Sequence, residues 1–233
     1  MHLTALTLDL DDTLWPVMPV IERAEQLTHA WLAVHAPATA GRFGLVAMRA
    51  LRADVGRRHP QWAHDLSQLR RLALLEALAA SGDDVALAEP AFEVFFNARQ
   101  AVALYADVAP ALDRLAARYR LLALSNGNAD LAATGLTRWF VGSVSAQRAG
   151  VAKPDARIFA HACAELGCSA DEIMHVGDDL ALDIHGARQA GMHTAWIRRA
   201  GHPEPPLASV DLYATGHHWE LPDLLALADR LGV

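Results

Sequence analysis

Cysteine is scarce. The chain has two, Cys163 and Cys168, five positions apart in a segment that reads as helix. That spacing suits neither a CxxC redox pair nor a zinc knuckle, so both are expected to be ordinary reduced thiols. Basic residues are outnumbered: 20 Lys and Arg stand against 27 Asp and Glu, for a formal net charge of −7. Such a balance lacks the strong basic surface that phosphate-backbone binding requires, and nucleic acid is not an expected partner. A local basic pocket for a small anion stays open. No apolar run reaches the length of a membrane span. Met1 to Asp9 run into a strand pattern with no basic start or cleavage site. The expectation is a soluble, cytoplasmic protein with no membrane partner. There is no internal repeat and no low-complexity tract, and the sequence does not speak to oligomeric state.

What is present is apolar residues, 53% of 233, enough for one large domain or two small ones. Short apolar runs at Leu3 to Leu8, Leu121 to Leu124, Phe140 to Val144, Ile173 to Val176 and Ala195 to Ile197 read as strands. Helical patterns at Ala111 to Arg118, Asp155 to Leu166 and Asp183 to Ala190 separate the later ones. Strands that alternate with single helices predict an α/β fold with a parallel sheet covered on both faces. From about Val17 to about Gln100 the period is helical throughout. Leu27, Ala30, Trp31 and Val34 share one helical face; Leu69, Leu72, Leu75, Glu76 and Ala79 share another, and Phe92, Phe95 and Phe96 follow the same spacing. Gly41, Gly44, Gly56 to Pro60 and Ser81 to Asp83 mark breaks, so about four helices are expected as an insert after the first strand. Ala200 to Pro206 reads as a Gly/Pro-rich loop.

Four strand-end loops carry polar groups: Asp9-Leu10-Asp11-Asp12-Thr13-Leu14, Ser125-Asn126-Gly127, Lys153-Pro154-Asp155, and Gly177-Asp178-Asp179 with Asp183. In an open parallel sheet the ligand crevice lies at the carboxyl ends of the strands, and right-handed crossovers bring several such ends together. Asp9, Asp11, Asp178 and Asp183 at close range could not all ionise without a cation among them. Oxygen-only ligands select a hard ion, and magnesium is the usual choice when a phosphate shares the site. Lys153 and Ser125 would hold the remaining phosphoryl oxygens.

In this order, a strand followed by DLDDTL, a strand followed by SNGN, then VAKPD and HVGDDLALD resemble the four motifs of the haloacid-dehalogenase-like phosphatase superfamily. The resemblance implies a Rossmann-like core over 1–15 and 102–233, with a helical cap of the superfamily's first type over 16–101. It implies that Asp9 is the nucleophile of an aspartyl-phosphate and Asp11 the general acid and base. Ser125 would be the phosphate-binding hydroxyl and Lys153 the charge-stabilising lysine, with Asn126 beside them at the substrate. Asp9, Asp178 and the backbone carbonyl of Asp11 would hold Mg2+, with Asp183 acting through metal-bound water. The stretch from Gly177 through Ala190-Gly191-Met192 to Arg198 is similar to bacterial phosphatases of flavin mononucleotide and of the phosphorylated ribitylaminouracil precursor of riboflavin. A small phosphorylated metabolite is therefore the expected substrate. The rival readings are a phosphomutase, a haloacid dehalogenase on the same fold, and a binding protein that has lost catalysis.

Residues beside the motifs carry expectations too. Trp15, directly after the first motif, is expected to enter the pocket and offer its ring to substrate, while Trp31 and Trp62 are expected in the core. Asp12 and Thr13 are expected to fix the turn, and Asp179 to cap a helix or support the site. His175, inside an apolar strand, is expected to be buried and satisfied. His217 and His218 lack companions for a metal site. Arg49 and Arg52 share a helical face, with solvent as the default and an anion as the alternative.

Overall fold

The computed structural model describes residues 2–201 and 218–233. His217, and the expected Gly/Pro loop from residue 202 onward, lie outside them. The chain divides into two compact units: Met1–Pro16, Ala103–Gly127 and Gly135–Val233 form one, Val17–Val102 and Asn128–Thr134 the other.

The first unit is built on six parallel strands: β1 (Ala5–Leu8), β2 (Arg120–Ser125), β3 (Phe140–Ser145), β4 (Ile173–Gly177), β5 (His193–Ile197) and β6 (His218–Leu221). Their order across the sheet is β3-β2-β1-β4-β5-β6. Strand order reverses between β1 and β4, and this switch point is where such sheets open a crevice for ligands. Strands β1 and β4 are buried along their whole length, which is why they read as continuous apolar runs. Behind β2, Leu122 and Leu124 pack with Ile158, Phe159 and Ala162 of a helix at Ala156–Leu166. That helix begins later than expected, with Asp155 as its cap accepting from the Arg157 N–H at 2.9 Å. Strand β6 was not expected: His218-Trp219-Glu220-Leu221 mixes polar and apolar residues and forms no apolar run. The segment expected as one helix over Asp183 to Ala190 is a π-helical turn at Leu180–His185 followed by a short α-helix at Gly186–Gln189. Asp179 caps it, accepting from the N–H groups of Ala181 and Leu182 at 2.8 and 2.9 Å.

The second unit is helical. Its elements are α1 (Val17–His35), α2 (Pro37–Arg42), α3 (Leu45–Arg58), α4 (Leu66–Ser81) and α5 (Ala88–Arg99). Leu32, Leu74, Leu78, Ala91 and Phe92 form its main core. The expected face of α1 is wrong by about one residue. Leu27 and Val34 are exposed, and Val20, Ala24, Glu25, Thr28 and Leu32 are buried instead. An acid at a core position hid the true stripe. Glu25 is buried because Arg49 and Arg52 reach its carboxylate at 2.5 and 3.0 Å, so both arginines, partly exposed as expected, already have an anionic partner within the protein. Trp62 is more than a third exposed, at 37%, and is not core. Among the described residues, no helix is long and apolar enough to cross a membrane.

Candidate active site

The acidic turn after β1 and the one after β4 flank the switch point, and the first unit alone supplies every group described below. Asp9 continues β1, its N–H bonded to Val176 O at 2.9 Å. The chain then turns sharply. Asp12 takes a positive φ of 59°, a conformation that Asp tolerates better than most residues. Its N–H bonds back to Trp15 O at 2.8 Å.

Carboxylate oxygens of Asp9, Asp178 and Asp183 lie within 4.8 Å of one another. Lys153 enters from the loop after β3. Its Nζ lies 2.5 Å from Asp9 Oδ1 and 2.6 Å from Asp183 Oδ1. It is the single lysine of the 233-residue chain. Three carboxylates around one ammonium leave an excess of two negative charges when all are ionised. The consequence shows in the acidities. Burial, reinforced by Asp9 and Asp183, pushes Asp178 up to about 8. Burial also pushes Asp9 up, to about 7, with Asp183 adding to the rise and Lys153 opposing it. Asp183 goes the other way: burial would raise it, but Lys153 and His175 outweigh that and hold it well below the ordinary carboxylate range. The difference lies in donors, since Asp183 also receives His175 Nε2 at 3.1 Å and the Asp179 N–H at 3.0 Å. For Lys153, burial is likewise outweighed by Asp183 and Asp9, and the ammonium stays protonated.

His175 is buried and satisfied, as its strand position predicted. Its Nδ1 lies 2.8 Å from Thr7 Oγ1. The Asp183 carboxylate can only accept, so Nε2 carries the proton and Nδ1 accepts from the threonine hydroxyl. Burial lowers the pKa of His175, consistent with this neutral form.

Two side chains expected at substrate make contacts within the protein. Trp15 is fully buried, and its Nε1 donates to Asp11 Oδ1 at 2.9 Å. It presents no ring face; it holds the Asp11 carboxylate. Asn126 Oδ1 accepts from Lys153 N at 2.7 Å, and its Nδ2 donates to Lys153 O at 3.0 Å. This amide clamp fixes the backbone that carries the lysine. Ser125, at the end of β2, accepts from the Gly127 N–H at 3.0 Å. Thr13 does more than fix the turn: its hydroxyl donates to Asp178 Oδ1 at 2.9 Å.

The cluster depends on a glycine. A Cβ placed on Gly177 would sit 2.3 Å from Asp183 Cγ, a contact no rotamer of a buried carboxylate can relieve cheaply. Gly177→Ala is expected to cost about 1–3 kcal/mol of stability, as other overpacked sites do, and to drive Asp183 off Lys153. Chemical denaturation of the variant checks the first expectation. A stability equal to the parent's would show that the loop gives way freely.

The oxygen-only donor set, and two carboxylates that resist ionisation because one ammonium does not compensate all three, together fit a hard divalent cation. A model of the haloacid dehalogenase-like hydrolase family matches residues 3–191. Over 201 residues the chain is 33% identical to the 5-amino-6-(5-phospho-D-ribitylamino)uracil phosphatase of Escherichia coli, with 84% of each chain covered. It is 34% identical over 149 residues to a phosphoserine phosphatase of Thermus thermophilus, covering 61% of this chain and 60% of that one. A solved structure described as a 2-haloacid dehalogenase from Pseudomonas syringae pv. Tomato superposes with a TM-score of 0.88 at 33% identity, over 99% of both chains. On the family match over residues 3–191 and the 33% identity over 84% of a curated relative, the chain belongs to the haloacid dehalogenase-like hydrolases.

Proposed function

We propose that the chain hydrolyses phosphomonoesters through an aspartyl-phosphate on Asp9, with Mg2+ bound by Asp9, Asp178 and Asp183. The observation that carries this reading is the acidic cluster, three carboxylates with one ammonium among them. A bound magnesium ion would supply the positive charge that keeps these carboxylates ionised and tolerates a phosphate dianion beside them. The backbone carbonyl of Asp11 is proposed as a further ligand.

The chain's own residues do the rest. An Asp9 carboxylate oxygen attacks phosphorus while the bond to the leaving oxygen breaks. Asp11, oriented by Trp15 Nε1, gives its proton to that oxygen. Asp11, now a carboxylate, takes a proton from water as the water oxygen attacks the phosphorus of the aspartyl-phosphate. The Asp9 carboxylate is released with inorganic phosphate. Lys153 Nζ stabilises the charge on the transferring group. Ser125, whose oxygen already accepts from Gly127, keeps its O–H to donate to a phosphoryl oxygen.

The likeness to a dehalogenase structure favours a second reading, halide displacement by Asp9. A departing halide needs neither the proton of Asp11 nor a divalent cation, so this reading leaves both unused. For substrate, the 33% identity over 84% of the ribitylaminouracil phosphatase supports a ribityl phosphate joined to a flat ring. Flavin mononucleotide is of the same class.

A panel of flavin mononucleotide, ribitylaminouracil phosphate, phosphoserine, sugar phosphates and 2-chloropropionate, with and without magnesium, tests these points. Magnesium-dependent phosphate release is expected, strongest for the ribityl phosphates. Halide release without phosphate release would overturn the phosphatase reading. Preference for phosphoserine or sugar phosphates would overturn only the substrate class.

The acidities add a pH expectation. Asp9 and Asp178 have folded-state values near 7 and 8, above the ordinary 3.8. Their contribution to stability is full below about pH 4 and is lost as pH rises to 7 to 8, because over that range the unfolded form has given up protons that the folded form still holds. Metal-free protein is therefore expected to melt at a lower temperature at pH 8 than at pH 5. Magnesium at a hundredfold its Kd should restore about 2.7 kcal/mol at pH 8, and less at pH 5 where protons compete. A magnesium-induced shift in melting temperature independent of pH would show that the ion binds elsewhere.

A further inference from the structure

The turn that carries Asp11, Asp12 and Thr13 is held by a residue far along the chain. Arg199, just past β5, is 8% exposed. Two of its guanidinium nitrogens point at one oxygen: Nε and Nη2 donate to Thr13 O at 3.1 and 2.7 Å. The rest of the fork meets Asp107, with Nη1 to Oδ1 at 2.8 Å and Nη2 to Oδ2 at 3.1 Å. The guanidinium also lies 3.9 Å from the ring centroid of Tyr105, and the Tyr105 N–H donates to Leu14 O at 3.0 Å. Thr13 is wholly buried, so its carbonyl requires a donor from the protein, and Arg199 supplies two.

Thr13 cannot then move by itself. Its carbonyl is pinned by Arg199, while its hydroxyl donates to Asp178 Oδ1 at 2.9 Å. The other side of Asp178 is held from the same strand, where Trp196 Nε1 donates to Asp178 O at 2.7 Å. Trp196 of β5 and Arg199 just past it thus tie together the two acidic loops that flank the switch point. The positive φ at Asp12 is a conformation that persists when its surroundings over-determine it, and Arg199 acts one residue away.

We propose that Arg199 is a positioning residue for the metal-binding carboxylates, acting through the Thr13 carbonyl and the Thr13 hydroxyl on Asp178. This rests on the magnesium reading above. The competing role is structural: Arg199 also joins β5 to the C-terminal helix, because Asp107 Oδ2 accepts the Leu224 N–H at 2.9 Å. The two roles separate by substitution. Lysine keeps the charge pair with Asp107 but is a point charge that cannot give a carbonyl two parallel N–H groups while serving a carboxylate.

The test is calorimetric titration of the folded protein with MgCl2, alongside melting curves, for the parent, R199K, T13V and the double variant. R199K is expected to melt within a few degrees of the parent and to bind magnesium at least about tenfold more weakly, the scale for residues that orient metal ligands. T13V should lose a similar factor. The double variant should bind no more weakly than the worse single one, since both changes break one chain of contacts. Losses that multiply, or an R199K affinity within about twofold of the parent's, would overturn the proposal. Should R199K not fold, D107N carries the test. It leaves Arg199 in place without the charge that orients it, and an affinity unchanged from the parent's overturns the proposal equally. A parent that binds no magnesium brings down the metal reading itself, and this inference with it.

Discussion

Asp9→Asn is expected to lower turnover by at least about three orders of magnitude, the scale seen when a covalent nucleophile is removed, while leaving the fold intact. The substitution keeps shape and a hydrogen-bonding oxygen at the end of β1, so the contact with Lys153 Nζ survives in weakened form. What disappears is the ionised oxygen that bonds to phosphorus. Stability supplies an independent check. Asp9 lies above its ordinary acidity because burial and Asp183 resist its ionisation. Without magnesium at pH 8, the neutral amide should therefore leave the melting temperature unchanged or raise it. Phosphate release assayed on the best substrate of the panel, with melting curves on the same preparation, separates chemistry from folding. Turnover near the parent's in a folded Asp9→Asn protein excludes an aspartyl-phosphate on Asp9.

The sheet and much of the acidic cluster were legible in the sequence for one physical reason: several motif residues sit at the end of a buried strand. A buried strand in a parallel sheet reads as an unbroken apolar run, and the polar residue ending it is conspicuous. Asp9 after β1, Ser125 at the end of β2 and Asp178 after β4 are all of this kind. What stayed hidden depends on contacts between distant residues. Glu25 looked like a break in the apolar stripe of α1 because its cations come from other helices, Arg49 and Arg52 from α3 and Arg70 from α4. Trp15 looked like an aromatic face at a pocket mouth because its bond to Asp11 is a matter of turn geometry. Asn126 sits beside Ser125 in sequence, yet its partner is the backbone 27 residues on. Arg199 had no signal of its own among 19 arginines. Lysine was different, and composition held the clue. A chain that uses arginine at every other basic position keeps one lysine, at the point where a compact ammonium must sit between two carboxylates.

That uniqueness makes Lys153→Met the variant with the broadest expected effect. The ammonium is 2.5 Å from Asp9 and 2.6 Å from Asp183, and its side chain is 2% exposed. Methionine fills similar space without the charge. Removing one partner of a buried ion pair typically costs about 3–5 kcal/mol, because the remaining charge is left without compensation. Here two carboxylates lose their partner at once. The penalty must depend on pH. Lys153 holds Asp183 below the ordinary carboxylate range against the pull of burial, so its loss lets Asp183 rise, and Asp9 rises further from an already raised value. A carboxyl raised in the folded state costs stability as pH climbs through its folded value. The gap between parent and variant, measured by urea denaturation without metal, should therefore widen from pH 5 to pH 8. Activity should fall by about two to three orders of magnitude even with saturating magnesium, the scale for losing one group that stabilises transition-state charge. Lys153→Arg should not rescue it. A planar guanidinium needs more width than a space that brings two carboxylate oxygens within 2.6 Å of one nitrogen, and its geometry favours both oxygens of one carboxylate over one oxygen from each of two. Full activity in Lys153→Arg would show that charge alone suffices. A stability gap that stays constant between pH 5 and pH 8 would show that the lysine does not hold down the acidities of Asp9 and Asp183.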